Sequence, residues 1–320
     1  MPVPLRSLHV VAAVITDLRG RILLARRIEG RDLAGLWEFP GGKREPGESA
    51  EAALVRELQE ELGITVQVGE SLINVPQQYP DKRLCLDVRR VDAWQGTPRG
   101  IEGQALAWVA PAKLSRYPMP PADRPVVAAL RQPDRYLVTP EPGADDAAWL
   151  DGLSRALQSG VGRVQLRARS LQDPPRWRRL VAAATALCRR AGAEVLVNGD
   201  IELARELGIG VHLRAAQLAT LEARPLGAEV AVAASCHHAA ELQQAQALGC
   251  DFAVAGSVQA TASHADGEVM GWEGFARLRE SVSLPIYAIG GLTPAHLEQA
   301  RQHGAQGIAA IRGLWPPATP

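Results

Sequence analysis

Short apolar runs separated by turn residues open the chain. Residues 8–16 (LHVVAAVIT) and 21–25 (RILLA) read as strands around a turn at Asp17–Gly20. A glycine- and proline-rich stretch, WEFPGGKREPGES, follows. From 49 to 62 the period changes: Ala52, Leu54, Val55, Leu58 and Leu62 supply the apolar positions of one helix, with Ser49 as N-cap and Gly63 at its stop. Strand-like stretches at about 64–75, 84–92 and 104–110, then a helix over about 122–131, complete this block.

A different rhythm begins after Pro133 and Asp134. The apolar runs RYLVT (135–139), VQLR (164–167), VLVN (195–198), GVHL (210–213), VAVAA (230–234), FAVAG (252–256), IYAIGG (286–291) and GIAAI (307–311) alternate with helical stretches, clearest near 145–159 and 175–191. About eight strands alternating with helices predict a parallel α/β fold, a (β/α)8 TIM barrel. The expected domains are 1–132 and 134–320. The two halves do not resemble each other, so the chain reads as a fusion and not a repeat.

Composition narrows the partners. The 320 residues are 47% hydrophobic and 22% charged, as in globular proteins, with a formal net charge of zero. That balance argues against general nucleic-acid or membrane binding. The N-terminus lacks the charged region and apolar core of a signal peptide, and no apolar run approaches a membrane span. Cys85, Cys188, Cys236 and Cys250 form no metal-ligand spacing and fit buried roles in a reducing cytoplasm.

The chemistry-bearing signal lies at Gly42–Ile64, which reads G-x5-E-x7-R-E-L-x-E-E-L-G-I. Glu57, Glu60 and Glu61 stand at i, i+3 and i+4 and share one helix face. Clustered like charges weaken a helix unless a cation neutralises them, and all-oxygen ligands favour Mg²⁺ or Mn²⁺. Glu48, at the end of the glycine loop, can approach the same ion from outside the helix. Arg56 is placed to orient a carboxylate by a charge-assisted hydrogen bond.

Every position of this stretch matches the Nudix box. LARR (24–27), LWEFPGGK (36–43), YPDKRL (79–84), the W-x-G-x-P around Trp94, GIEGQ around Glu102 and MPPADRPVV (119–127) resemble the MutT type of Nudix hydrolase. The resemblance covers nearly all of residues 8–131 and implies an α/β/α sandwich with a mixed sheet. It implies metal ligation by Glu48, Glu57, Glu60, Glu61, Glu102 and Gly41. Catalysis would rest on Arg56, Glu57, Glu60, Glu61 and Glu102, the last binding metal or activating water. Substrate contacts would fall on Arg27, Phe39, Lys43, Lys82 and Asp123. The implied reaction hydrolyses oxidised guanine nucleoside triphosphates at the β-phosphorus, releasing a monophosphate and pyrophosphate. Spacing alone gives only metal-assisted phosphate hydrolysis.

Asp123 departs from the pattern. The MutT type carries asparagine there, whose amide both donates and accepts. An ionised Asp123 only accepts, so it cannot donate to a guanine O6. Two readings stand: Asp123 tunes base choice, or it is the N-cap of the 122–131 helix.

VQLRARS (164–170), VNGDIELA (197–204), VHL (211–213), DFAVAGSV (251–258), IYAIGGLTP (286–294) and GIAAIRGLW (307–315) resemble the thiamine phosphate synthase superfamily, and its TenI branch better through Asn198–Gly199. Synthases hold Mg²⁺-pyrophosphate with aspartates after the third strand and after V-H-L. Here those places hold Gly199 and Ala215–Ala216–Gln217, with Asp200 out of register. The synthase lysine corresponds to His264, and the TenI histidine to Ser257, which is no neutral-pH proton carrier. The resemblance therefore implies lost synthase chemistry. Phosphate handling survives in the reading of Gln165, Arg167, Gly290 and Gly291 as a phosphate pocket for thiazole or thiamine phosphate. The rival reading of the glycine pair is a tight turn. His237, His238 and His264 read as solvated or capping residues.

Together these readings predict a cytoplasmic Mg²⁺-dependent hydrolase that removes oxidised purine triphosphates such as 8-oxo-dGTP. Two alternatives are another nucleotide or thiamine-related pyrophosphate as substrate, and a barrel that only binds ligand or supports the hydrolase.

Overall fold

The computed structural model describes residues 6–30, 32–260 and 269–317. His264 lies outside the described residues. The chain forms two compact units that meet in sequence at Gln132 and Pro133.

The first unit contains β1 (Arg6–Val14), β2 (Ile22–Arg26), β3 (Trp37–Glu38), β4 (Gly41–Lys43), α1 (Ala50–Leu62), β5 (Thr65–Gln78), β6 (Lys82–Gln95), β7 (Leu106–Val109) and α2 (Asp123–Arg131). A short 3₁₀ helix spans Pro111–Arg116. One mixed sheet has the order β4-β1-β6-β5 and the other β3-β2-β7. Within the first, β1 runs parallel to β6 and antiparallel to β4.

Alternation along β1 creates two cores. Val11, Ala13 and Ile15 pack with Leu54, Leu58 and Leu62 of α1. Ala12 and Val14 pack with Val126 and Ala129 of α2. Successive strand side chains point to opposite faces, so one strand serves both helices. Leu54, Leu58 and Leu62 are fully buried, each contributing about 2 kcal/mol of apolar transfer. Ala50 and Ala53 are the buried alanines of α1, whereas Ala52, expected on the apolar face, is exposed. The ends of α1 follow the capping rules. Ser49 Oγ accepts from Ala52 N–H at 3.1 Å, and Gly63 adopts φ 68°, left-handed, closing the helix onto Gln59 O.

The second unit runs β8 (Arg135–Val138), α3 (Asp146–Gln158), β9 (Arg163–Leu166), α4 (Pro174–Arg190), β10 (Glu194–Asn198), α5 (Ile201–Leu207), β11 (Gly210–Leu213), α6 (Ala215–Leu218), β12 (Val232–Cys236), α7 (Ala239–Leu248), β13 (Phe252–Ala255), α8 (Gly271–Arg279), β14 (Ile286–Ile289), α9 (Leu297–Gln302) and β15 (Gly307–Ala310). The eight strands close into one parallel barrel. Each coincides with one of the apolar runs in the sequence, to within about two residues at either end. Strands covered on both faces carry unbroken apolar runs, which is why they read so clearly. Tyr136, Phe252 and Tyr287 fill the interior, and the Arg163 guanidinium lies 3.9 Å from the Phe252 ring centroid. Arg163 also pairs with Glu194.

No helix among the described residues is long and apolar enough to cross a membrane.

Candidate active site

The carboxylates of α1 face the glycine strand β4, which leads directly into the helix. Glu57 sits against Gly42: a Cβ built there would lie 2.1 Å from Glu57 Oε2. Only glycine leaves room for that carboxylate. Gly41 N–H points at Glu61 Oε2 from 3.4 Å. A Cβ on Gly41 would meet Val11 O at 2.1 Å, so the glycine pair is fixed between β1 and the carboxylates.

Arg56 binds Glu48 with both arms of its guanidinium: Nε donates to Oε1 and Nη2 to Oε2, each at 3.0 Å. Nη1 reaches Glu57 Oε1 at 2.9 Å and Glu60 Oε2 at 3.3 Å, and Nη2 also donates to Lys43 O. This fork ties the loop glutamate to the helix glutamates. The Arg56 hydrogen bond holds Glu48 below the usual carboxylate range. The same pairs, with Glu48 foremost, raise the guanidinium's own pKa.

Glu61 behaves oppositely. Burial pushes its pKa up to about 7, and the nearby carboxylates Glu38, Glu102 and Glu57 push in the same direction. Gln104 secures the loop that carries Glu102: its Nε2 donates to Glu61 O at 3.0 Å and its Oε1 accepts from Glu102 N–H at 2.9 Å. Neither Glu38 nor Gln104 was singled out by sequence. Both sit inside recognisable strings, LWEFPGGK and GIEGQ, but only the fold brings them to the carboxylates.

Asp123 departs from the N-cap reading. It is the first residue of α2 and not its cap, because Ala122 holds the cap position and no side chain caps the helix. The Asp123 carboxyl instead lies 3.4 Å from the Phe39 N–H. The site also favours its neutral form. Burial, reinforced by Glu38, pushes its pKa up to about 8. A neutral carboxyl donates and accepts, as an amide does. Phe39 contributes that N–H, while its ring is 3% exposed in the α2-side core.

Arg27 pairs with Glu38 and donates through Nε to Asp32 O at 2.7 Å. Lys82 Nζ binds Asp32 at 2.7 Å and lies over the Tyr79 ring. Lys43 is exposed.

Among the described residues, no three His, Cys, Asp or Glu side chains are already arranged to hold a metal ion. Arg56 occupies Glu48, Glu57 and Glu60 instead. The donor chemistry nevertheless fits a hard divalent cation. Several carboxylate oxygens converge around half-buried Glu61, and burial first, then their repulsion, raises its pKa, a cost a cation would relieve.

The family model described as a NUDIX domain matches residues 11–129. The CTP pyrophosphohydrolase of Escherichia coli is 45% identical over 125 residues, covering 39% of this chain and 92% of that protein. The first unit is a Nudix hydrolase of the MutT-like group. The 8-oxo-dGTP diphosphatase of Escherichia coli is 38% identical over 128 residues, 40% of this chain and 99% of its own length. A Nudix hydrolase acts on pyrophosphate bonds, and the group generally uses a divalent metal.

The family model described as thiamine monophosphate synthase matches residues 135–314, more than half of the chain, which belongs to that family through its barrel. The thiamine-phosphate synthase of Synechococcus is 35% identical over 184 residues, 56% of this chain and 52% of that protein. The chain thus spans about half the length of that synthase.

The barrel candidates lie at the C-terminal ends of the strands. Gln165 is buried and donates to Asn198 Oδ1 at 2.9 Å. Arg167 follows β9 directly, and its N–H donates to Thr139 Oγ1 at 3.0 Å. Gly290 and Gly291 both adopt positive φ, and a Cβ on Gly290 would meet Ser257 Oγ at 2.2 Å. Close packing against the Ser257 loop thus accounts for Gly290. Ser257 Oγ donates to Gln259 O at 2.7 Å. Asp200 caps α5, and His238 caps α7 beside exposed His237. His212 escaped the sequence reading. It is buried between Tyr136 and Ser235, and burial drives its pKa down to about 3.

Proposed function

We propose that residues 1–132 form a Mg²⁺-dependent hydrolase that converts nucleoside triphosphates to monophosphate and pyrophosphate in the cytoplasm. The observation that carries this reading is the seating of Glu57 against Gly42, beside Glu61 and within the Arg56 fork. Glu57, Glu60 and Glu61 would hold Mg²⁺, with Glu48, Glu102 and the Gly41 backbone completing the set. Mg²⁺ would neutralise the polyphosphate and make bound water acidic. Arg56 keeps the carboxylates oriented while they exchange partners. Glu102, on the loop tied down by Gln104, accepts the proton of the attacking water. Arg27 and Lys82 would steer the triphosphate.

Neutral Asp123 supports a purine reading, with 8-oxo-dGTP as the leading substrate. Its hydroxyl donates to a guanine O6 while its carbonyl accepts from N1–H, as an asparagine would. The same acid can pair with cytosine, donating to N3 and accepting from the exocyclic amine. Cytidine triphosphate is therefore the second substrate proposed, in keeping with the similarity to a CTP pyrophosphohydrolase. Residues 134–320 bind a phosphorylated ligand of the thiazole or thiamine phosphate class and no longer make thiamine phosphate.

Turnover of 8-oxo-dGTP, dGTP, CTP, dCTP and thiamine pyrophosphate, with Mg²⁺ and with chelator, tests the assignment. Glu57→Gln and Glu60→Gln should each lower turnover by orders of magnitude in a folded protein. Near-normal rates in both would overturn it. Hydrolysis in ¹⁸O-water should label the pyrophosphate. Label confined to the monophosphate would move the attack to the α-phosphorus.

A further inference from the structure

Three adjacent barrel strands end in an unusual set of residues. Arg167 is the first residue past β9, Gly199 the first past β10 and Arg214 the first past β11, and these strands are neighbours in the barrel. Gly199 adopts φ 71°, and a Cβ there would lie 2.7 Å from Arg214 Nε and 3.1 Å from its Cζ. The Arg214 guanidinium therefore lies over the side-chain position that Gly199 leaves empty. Gln217 holds this arrangement: its Oε1 accepts from Arg214 N–H at 3.0 Å and its Nε2 donates to Gly199 O at 2.9 Å.

Arg167 lacks a partner for one donor. Its Nε is buried without a hydrogen bond. Burial, and after it the charge of Arg169, lower its pKa. A buried guanidinium N–H with no acceptor is costly unless a ligand supplies one. The carboxylates nearby are engaged elsewhere. Glu141 accepts from the Arg169 and Ser170 N–H groups at 2.7 and 3.3 Å and from the Ser170 hydroxyl at 3.0 Å. Asp200 accepts from Leu203 N–H.

The family's barrel implies Mg²⁺ held by an aspartate where Gly199 stands. The residues present do not fit a divalent cation. The place offers no carboxylate, and it is covered by a guanidinium that would repel one. It does fit an oxyanion, because planar guanidinium forks match phosphate oxygens two at a time.

We propose that the mouth of the barrel between β9 and β11 is a metal-independent site for a diphosphate or phosphate group, in which Arg214 supplies the positive charge otherwise brought by a cation. This rests on the reading of the barrel as a phosphate binder. Arg167 completes its hydrogen bonding on the ligand, and Arg214 closes over Gly199 from the other side.

The test is calorimetric titration of the full chain with inorganic pyrophosphate, once in EDTA and once in Mg²⁺. Binding is expected in EDTA, weakened about tenfold or more by Arg167→Gln and by Arg214→Gln, each losing at least one charge-assisted pair. Arg214→Gln should keep its nucleotide hydrolysis and a thermal melt like wild type, the latter reporting that the barrel is folded. Binding that appears only with Mg²⁺ and is lost in the arginine variants would keep the phosphate site but overturn its metal independence. Absence of arginine-sensitive binding in both media would overturn the site itself.

Discussion

The Asp123 carboxyl lies 3.4 Å from the backbone N–H of Phe39, a residue 84 positions earlier in the chain. That burial, with Glu38 nearby, raises its pKa from 3.8 to about 8. Between about pH 4 and pH 8 the folded protein keeps a proton that the unfolded chain has released. The contribution of Asp123 to wild-type stability therefore falls as pH rises through that window and levels off above it. The amide introduced by Asp123→Asn does not titrate. Thermal melts should show that variant gaining on wild type from pH 4 to pH 8 and then holding a constant lead. Parallel curves would mean the carboxyl is already ionised.

The same proton governs substrate choice. At pH 7 Asp123→Asn preserves one donor and one acceptor, so the 8-oxo-dGTP to dGTP ratio of kcat/KM should move by less than about tenfold. At pH 9 the wild type loses its donor, and the asparagine variant should be the better enzyme on 8-oxo-dGTP. A variant that tracks wild type at both pH values would remove Asp123 from base reading.

Sequence showed Asp123 as a departure but not its charge state. The departure is local, whereas the charge depends on what buries the side chain. The Nudix carboxylates were legible because helix geometry puts i, i+3 and i+4 on one face and the whole spaced motif from Gly42 to Ile64 matches the Nudix box, whereas a bare E-x-x-E-E reads as a solvated acidic face. Gln104 was not legible, since a loop glutamine has no periodicity and its partner Glu61 is 43 positions away. The eight barrel strands were legible as apolar runs. β3 and β4 were not: two or three residues amid Gly and Pro carry no alternation to read.

Gly42→Ala tests the seating of Glu57. The added methyl falls 2.1 Å from Glu57 Oε2, so the carboxylate must move while the backbone need not. A misplacement on the order of 1 Å at a reacting centre costs about 10²-fold. Steady-state kinetics should show that loss in kcat, with a melting temperature close to wild type. Unchanged kcat would mean that Glu57 does not need its place beside Gly42.

Arg56→Lys keeps the charge and loses the fork that grips both Glu48 oxygens. Turnover should fall about 10–100-fold, as for other residues that orient metal ligands, and the Mg²⁺ concentration for half-maximal rate should rise. A drop in rate with unchanged Mg²⁺ dependence would place Arg56 outside ligand orientation.

Gln104→Ala removes the side-chain hydrogen bond from the Glu102 loop to Glu61 O and the one to Glu102 N–H, leaving the Ile101 N–H to Glu61 O bond in place. If Glu102 receives the water proton, kcat should fall while KM changes little. A rise in KM alone would assign this loop to substrate binding.

Gly41 and Gly42 are paired residue for residue with Ala12 and Val11 of β1. The glycine strand therefore takes its position from main-chain hydrogen bonds to a strand whose side chains in its second half, Val11–Val14, are committed to the two cores. Evolution can repaint those side chains with other small apolar residues without moving the glycines. It cannot insert or delete a single residue in Val10–Ala12. That change would swap the inward faces of β1 and carry the glycines away from Glu57 in the same step. Substitutions in β1 and changes in its length thus carry separate risks, the first to stability and the second to catalysis and fold together.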